Sequence, residues 1–475
     1  MTVTVNVSNP MTTLPFRLSP LLWAALLAAC ASAPLSVPPA PAAPTAWQAE
    51  PADAVKPDWA GVLDPQLAAL QDRALRANRD LAQAALRWRQ AQTQAEIGGL
   101  RLRPSLGGSA SGSRPLEDQS STRTVDVGGV SVPITTNVGW SRSYGASASV
   151  GYELDLWGRI AATQAAQAAQ AEAARTDLDA ARLLIRQRVA EAYWTLAAID
   201  LQRPLAEQQL ALNREALALV TLRVREGKLL PLEIDKAAST VQQAQVRLSD
   251  LAADAQLQRH TLALLLDEPL PGPAVVEPRL PVQTVPQWAP GAPDEVLGRR
   301  PDVQRARLNV DASLARSRAA DAERYPSLSF SASVSTGGSR AADWFSQPIA
   351  NLAANLAVPL IDWRRLDLQR NSARTDVELS ALALRDTVQK ALFEIESQLI
   401  DGERLRQQQD ANALRLQEAT EAERLAALRY EVGAIARADW LQARNAMLEA
   451  QQGQIQLRLR AWLNRAALVK AVAGA

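Results

Sequence analysis

Cysteine and histidine, the residue types most used for nucleophilic and metal-binding chemistry, each occur once in this 475-residue sequence, as Cys30 and His260. A single cysteine excludes an intrachain disulfide framework, and one cysteine with one histidine cannot supply a Cys/His metal cluster. His260 sits in the apolar helical run 257–266 without partners that would make it a general base, and reads as an ordinary helix residue. The sequence has no Gly-Lys phosphate loop and no dinucleotide fingerprint. Cys30 remains, closing the run Leu27-Ala28-Ala29-Cys30. A thiol just after small residues that suit cleavage is placed for acylation, not for catalysis. The sequence therefore reads as no enzyme, with no metal and no cofactor beyond a covalent lipid on Cys30. A formal net charge of +1 gives no basic face for nucleic acid.

Upstream of that cysteine, Arg17 precedes an apolar run, residues 18–29, too short to cross a bilayer as a helix. The run with Cys30 resembles a bacterial lipobox; a plain secretory signal with an incidental cysteine is the alternative. Ala31 at the following position, by resemblance to bacterial lipoproteins, favours sorting to the outer membrane. Met11 is a plausible start of translation, with Met1 as the alternative. Residues 1–29 read as a signal peptide and 30–60 as a lipidated N-terminus with an extended Pro/Ala-rich tether.

The remaining chain makes one structural statement twice. Arg103-Pro104-Ser105-Leu106 leads to alternating small residues, then Leu154-Asp155-Leu156-Trp157, then a long helical stretch. Tyr325-Pro326-Ser327-Leu328 leads to a second alternation, then Leu360-Ile361-Asp362-Trp363 and another long helix. Repeat 1 spans residues 61–267, with strands at 104–114 and 142–155. Repeat 2 spans 302–469, with strands at 326–336 and 349–361. A Pro-rich segment, 268–301, joins them, and 470–475 is a tail. On the first three strands one parity is apolar or small and the other rich in serine; the last carries Leu352, Leu356 and Val358 on one face and Asn351 and Asn355 on the other. Tyr144, Ala146, Ala148, Val150 and Tyr152 alternate with Gly145, Ser147, Ser149 and Gly151, and Leu328, Phe330, Ala332 and Val334 with Ser329, Ser331 and Ser333. Such alternation, with so few charges on the polar face, predicts transmembrane strands around a wet lumen; a half-exposed soluble strand is the alternative. Four strands cannot close a barrel, and an open edge cannot sit in lipid, so the barrel must be shared between chains. Two chains give about eight strands and a filled interior, three about twelve and a channel. Serine-lined faces favour three.

The segments 157–227 and 363–433 each predict a helix of roughly 105 Å. Ile185, Val189, Ala192, Leu196 and Ile199 form a coiled-coil seam, repeated by Val388, Leu392, Ile395 and Leu399. Pro204 should kink the first helix or split it in two. Gly227 and Gly433 suit left-handed C-caps, after which the helices 232–266 and 438–469 return. Residues 63–100 and 302–325 supply helix below the strands, and the Pro-rich segment cannot be regular helix.

With these residues assembled, the chain resembles an outer-membrane efflux lipoprotein of the TolC/OprM group, near its NodT-like subgroup. The lipobox, Leu297-Gly298-Arg299-Arg300-Pro301-Asp302-Val303, Arg324-Tyr325-Pro326-Ser327-Leu328, the strand-end Trp157 and Trp363, and the two glycine turns carry the resemblance. It implies an α+β membrane protein: a homotrimer whose twelve-stranded barrel in the outer membrane, four strands per chain, continues into a periplasmic α-helical barrel. It also implies a passive duct for small molecules, fed by an inner-membrane pump of the RND type through a periplasmic adaptor. The turns around Gly227, Leu229, Gly433 and Ile435 would dock the adaptor. Asp439 falls on a gate aspartate of that group; a second falls on Gln442 and departs from the pattern, while the first repeat offers Glu233 and Lys236. Asp439 also suits the N-terminal charge of the returning helix. Trp157 and Trp363 would mark the junction of barrel and helices. Rival expectations are the exit duct of a type I secretion or metal efflux system, or a structural coiled-coil envelope lipoprotein.

Overall fold

The structure, a computed structural model, describes residues 43–49, 64–114, 119–138, 143–270, 278–282, 289–338, 340, 348–359 and 361–472. Cys30, the expected signal peptide, most of the expected tether and residues 473–475 lie outside them.

Helix α1 (Pro65–Ala77) opens where the Asp64 carboxylate accepts the Leu67 N–H at 2.8 Å, with Pro65 at a position that needs no donor. The single helix expected over 63–100 is in fact two. Asn78 takes an extended backbone, its Oδ1 accepts the N–H groups of Asp80 and Leu81, and its Nδ2 donates to the Leu265 carbonyl at 3.0 Å. These bonds end α1 and start α2 (Arg79–Leu100). Strand β1 (Ser105–Ser113) follows. The segment between the two strands expected in the first repeat contains a hairpin of β2 (Gln119–Val127) and β3 (Val130–Val138). Gly128 and Gly129 turn it with φ of 64° and 88°, the positive pair that a tight hairpin turn requires.

Strand β4 (Ser143–Leu154) leads into α3 (Arg159–Arg225), 67 residues or roughly 100 Å long. Of the expected kink or split at Pro204, the split does not occur, since the helix runs on through the proline. Packing holds both sides of the proline: Gln202 and Ala206 are buried, and Gln202 accepts from Arg247 of α4 (Leu232–Leu266) at 2.9 Å. The Pro-rich segment, expected to hold no regular helix, contains the short α5 (Pro293–Arg299), which begins on its proline. Then come α6 (Pro301–Ala322), β5 (Ser327–Gly338), β6 (Ile349–Ala357), the 69-residue α7 (Trp363–Glu431) and α8 (Arg437–Ala471).

Four strands form one antiparallel sheet in the order β1-β4-β5-β6; β2 and β3 form a separate pair. The helices pack as hairpins, α3 along α4 and α7 along α8, with α2 and α6 against α3 nearer the sheet. The largest core lies midway along α3, where Ile185, Val189, Tyr193, Trp194 and Leu196 are buried against Leu67, Leu262 and Leu468. Trp194 meets Trp462 with ring centroids 5.5 Å apart. Each such apolar side chain contributes about 1.5–3 kcal/mol. Residues 43–49 also join this core and are no free tether: Trp47 is 4% exposed and its indole donates to the Gly291 carbonyl at 2.7 Å.

Candidate functional site

The pairing register sorts the sheet into two faces. Ser109 faces Ser147, Ser147 faces Ser335, Ser149 faces Ser333, and Ser333 faces Asn351, so hydroxyl and amide groups run in rows across the strands. Ser109 and Ser147 hydroxyls lie 2.9 Å apart, Ser113 and Ser143 hydroxyls 2.6 Å, and Ser105 Oγ donates to the Gly151 carbonyl at 3.1 Å. Ile349, opposite Ser335, interrupts this face at one edge. The opposite face pairs Leu106 with Val150, Val150 with Ala332 and Ala332 with Leu352. On it Leu106 is 81% and Leu352 85% exposed. Water would not tolerate so continuous an apolar face, whereas lipid would leave it unburied by protein. Among the described residues no helix is long and apolar enough to cross a membrane.

The junction of sheet and helix is built from local polar pairs and rings. Asp155 accepts the N–H groups of Ile160 and Ala161 at 3.0 and 2.8 Å, capping α3 from outside it because Gly158 (φ 72°) has no side chain to do so. Glu153 pairs with Arg159 at 2.6 Å. Trp157 donates to the Pro326 carbonyl at 2.8 Å and stacks on Tyr325, centroids 4.7 Å apart. Trp363 lies under the Arg324 guanidinium at 4.7 Å. Both tryptophans thus sit where strands become helices.

Midway down the helices the Arg-Arg-Pro-Asp segment acquires a physical role. Arg300, buried between α5 and α6, donates to Asp302 (3.0 and 2.7 Å), to Glu394 of α7 (2.6 Å) and to the Ala471 carbonyl at the end of α8 (2.6 Å). Lys470 pairs with the other Glu394 oxygen at 2.6 Å. Burial pushes the Asp302 and Glu394 carboxyls up, but for Asp302 the Arg300 guanidinium, and for Glu394 Lys470 and Arg300, outweigh it and hold both below the usual carboxylate range. Nearby, burial and then the Asp64 carboxylate raise the Tyr193 hydroxyl above its ordinary value. That hydroxyl donates to Asp64 at 2.6 Å and accepts the Arg279 N–H at 3.1 Å.

At the far ends of the long helices both turns have the same geometry. The Lys228 N–H donates to Arg223 and the Gly227 N–H to Val224; Ala434 donates to Arg429 and Gly433 to Tyr430. Gly227 and Gly433 have φ of 75° and 77°. This is the double bond pattern of a helix ended by a left-handed residue, where a Cβ is unfavourable. Leu229 and Ile435 are half-buried, while their neighbours Leu230 and Val432 are 70% and 79% exposed and were not singled out from sequence. Asp439 accepts the Ala436 N–H at 3.2 Å, closing the start of α8, and Glu233 pairs with Lys236 at 2.8 Å. Sequence reasoning also missed Arg437. It pairs with Glu215 of α3, donates to the Tyr430 hydroxyl at 3.0 Å and lies over the Tyr430 and Trp440 rings. Gln442 lines a groove between α3 and α8 with Leu219, Val220 and Leu441. His260 is exposed on α4, and among the described residues no group of three or more His, Cys, Asp or Glu side chains could hold a metal.

The chain matches the family described as "Outer membrane efflux protein" over residues 70–268 and 292–474. It is 31% identical over 454 residues to the pyoverdine export outer membrane protein OpmQ of Pseudomonas aeruginosa, covering 94% of each chain. Among solved structures, the outer-membrane channel OprN superposes with a TM-score of 0.78 at 23% identity, covering 94% of this chain and 99% of that one. The open state of the Neisseria gonorrhoeae MtrE outer membrane channel superposes with a TM-score of 0.76 at 25% identity, covering 93% and 98%.

Proposed function

The chain belongs to the outer membrane efflux protein family, and from that premise we propose that it is one of three copies pooling their strands into a single passive exit duct. The family membership makes it an outer-membrane efflux component, a transport function. The observation that carries the finer reading is the two-faced sheet. One face is rows of hydroxyls, the other an exposed apolar band, and both edge strands are unpaired within the chain. An open edge in lipid leaves amide and carbonyl groups unsatisfied at several kcal/mol each, so the sheet needs further copies of itself. Three give about twelve strands and a water-filled lumen. The helical hairpins, close to 100 Å long, continue the duct as a periplasmic helical barrel. Trp157 and Trp363 mark the level where barrel gives way to helices, and a lipid on Cys30 anchors each copy.

The helical tips are the parts that reach an adaptor and, through it, an inner-membrane pump of the RND type. Leu229 and Ile435, beside the turn glycines Gly227 and Gly433, supply the apolar docking contacts. The gate is assigned to the same tips, around Asp439 and Glu233. The Arg437–Glu215 pair supports this, because it fastens the start of α8 to α3 of the other hairpin. Cargo is small molecules; the relative OpmQ, a pyoverdine export protein, puts pyoverdine among cargoes to test. Hydroxyl rows carry little charge to discriminate by, so selection rests with the pump.

The test is mass measurement of the full chain purified in detergent, combined with palmitate labelling of cells making it or its Cys30→Ser variant. Three copies per particle, and label lost in the variant, are expected. A single-copy particle contradicts the shared duct; label that persists in Cys30→Ser contradicts the lipid site.

A further inference from the structure

Resting on the shared-duct reading, we infer that each seam between neighbouring copies carries a binding site for the headgroup of an anionic phospholipid, built from Arg364 of one copy and Arg101 and Arg103 of the next. The argument begins with arginines that nothing in the chain neutralises. Arg101 and Arg103 precede β1, and Arg364 lies in the first turn of α7. All three are exposed, and among the described residues none has a carboxylate within ion-pair distance. Residues 97–104 include no acid at all. Around Arg364, Asp362 is held by Arg365 at 3.1 Å and Asp367 by Arg370 at 3.7 Å. Helix stability does not account for Arg364 either. The first turn of α7 has no acidic residue, and cations at that end oppose the helix dipole.

Their level in the molecule selects the ligand. The apolar face of the sheet runs down to Leu106 on β1 and to Leu356 and Val358 at the end of β6, all exposed. Ile361 follows at 97% exposure, and Leu102 stands between the two arginines of the other edge. Trp157 and Trp363 lie at this same level, where strands become helices. Amphipathic rings of that kind settle where acyl chains give way to headgroups. The arginines therefore sit just beyond the last lipid-facing side chains. Their apolar stems can lie along the acyl boundary while the guanidinium reaches the phosphate layer of the periplasmic leaflet. A guanidinium forks onto two phosphate oxygens. A zwitterionic lipid brings its own cation to that phosphate, whereas an anionic lipid leaves it to the protein. The apolar residues beside the arginines favour a lipid over free phosphate.

The site is complete only between copies. In one chain Arg364 and the Arg101/Arg103 pair belong to opposite edges of a four-stranded sheet, about 14 Å apart across the strands. In the shared duct the β6 edge of each copy borders the β1 edge of its neighbour, since these are the edges the chain leaves open. Arg364 then stands at one seam with Arg101 and Arg103 of the next copy. Over residues 97–104 and 361–368 together, four arginines meet two aspartates, so each seam keeps an excess of positive charge.

Native mass spectrometry of the full chain purified in detergent tests the site. The particle is titrated with phosphatidylglycerol, with phosphatidylcholine, and with phosphatidylglycerol in the presence of inorganic phosphate. Retention of about three phosphatidylglycerol molecules per trimer is expected, with phosphatidylcholine held at least about tenfold more weakly. Each arginine should contribute about fivefold, so Arg101→Ala/Arg103→Ala/Arg364→Ala should lose on the order of a hundredfold in affinity. Arg364→Lys, which keeps the charge, should lose less than Arg364→Ala, and Arg123→Ala on the β2–β3 hairpin should lose nothing. If the triple variant fails to assemble, the single variants carry the same test. Equal retention of the two lipids, or full retention of phosphatidylglycerol by the arginine variants, overturns the site and leaves the duct reading standing. Displacement of the lipid by millimolar inorganic phosphate overturns the lipid in favour of a free anion. A single-copy particle overturns the duct reading and the seam with it.

Discussion

Replacing Arg300 with methionine should separate the middle of the helical hairpins, and the cost can be worked from its partners. The guanidinium satisfies three groups: Asp302 twice, Glu394 at 2.6 Å and the Ala471 carbonyl at 2.6 Å. Asp302 is 41% exposed, so water replaces much of what it loses. Glu394 keeps Lys470 but loses its tie to the residue that caps α6. The Ala471 carbonyl is left without its side-chain donor, at about 1–3 kcal/mol. Breaking a buried ion pair by removing one partner costs about 3–5 kcal/mol. With Lys470 still present, about 2–4 kcal/mol is expected for Arg300→Met. Arg300→Lys should lose about half as much, because an ammonium keeps the charge but not the fork. The assay is thermal unfolding of the detergent-solubilised protein followed by circular dichroism, as a double-mutant cycle with Glu394→Gln. A coupling of about 1.5–3 kcal/mol between the two positions is expected. The pH dependence has a definite sign. The folded Glu394 and Asp302 carboxyls titrate below their ordinary values, so their contribution is present above those values and is lost as pH falls through the depressed ones. The gap between wild type and Arg300→Met should therefore be constant near neutrality and close below about pH 4. Wild-type melting for Arg300→Met, or a coupling indistinguishable from zero, would refute the clamp.

Gly433→Ala should cost about 1–2 kcal/mol at the tip alone, because a Cβ is disfavoured at φ 77°. Hydrogen exchange should quicken around residues 429–436 while the sheet stays protected; unchanged exchange there would contradict the left-handed cap. Tyr193→Phe removes a buried hydroxyl that bonds to Asp64 and Arg279 and should cost about 1–3 kcal/mol in thermal unfolding. The Tyr193 hydroxyl titrates higher in the folded chain, so this advantage holds below about pH 10 and shrinks above it; a pH-independent gap would count against the bond. Glu215→Gln and Arg437→Ala should each raise single-channel conductance, and the double variant no further than either single one. Additive increases would mean that the two residues do not act as one tie.

The parts of this fold that show in the sequence are those fixed by a period. Serine and apolar residues alternating over 144–155 and 327–335 set strands and faces, because side chains of a strand point to opposite sides in turn. Spacings of three and four place Ile185, Val189 and Leu196 in a buried seam. The parts that do not show depend on partners far along the chain. Arg300 stands out as a motif, but Glu394 and Ala471, which explain it, come much later in sequence. Glu215 and Arg437 are equally remote from one another. Pro204 suggests a broken helix, yet packing of Gln202 and Ala206 holds the helix together. Two further features do show in the sequence. Gly128-Gly129 lies between alternating valines, a strong hairpin signature, inside a stretch whose polarity suggests a loop. Trp47 is a large amphipathic side chain with no reason to belong to a tether, and it is buried.

The account turns on which parity of the strands meets lipid. Cysteine scanning along β5, with Cys30 unchanged and a membrane-impermeant thiol reagent, measures it residue by residue. Ser329, Ser331 and Ser333 should label from water, while Phe330, Ala332 and Val334 resist the reagent and, carrying a fluorophore, are quenched from within the bilayer. Equal labelling at both parities, or quenching at the serine positions, would contradict a sheet that lines an aqueous duct.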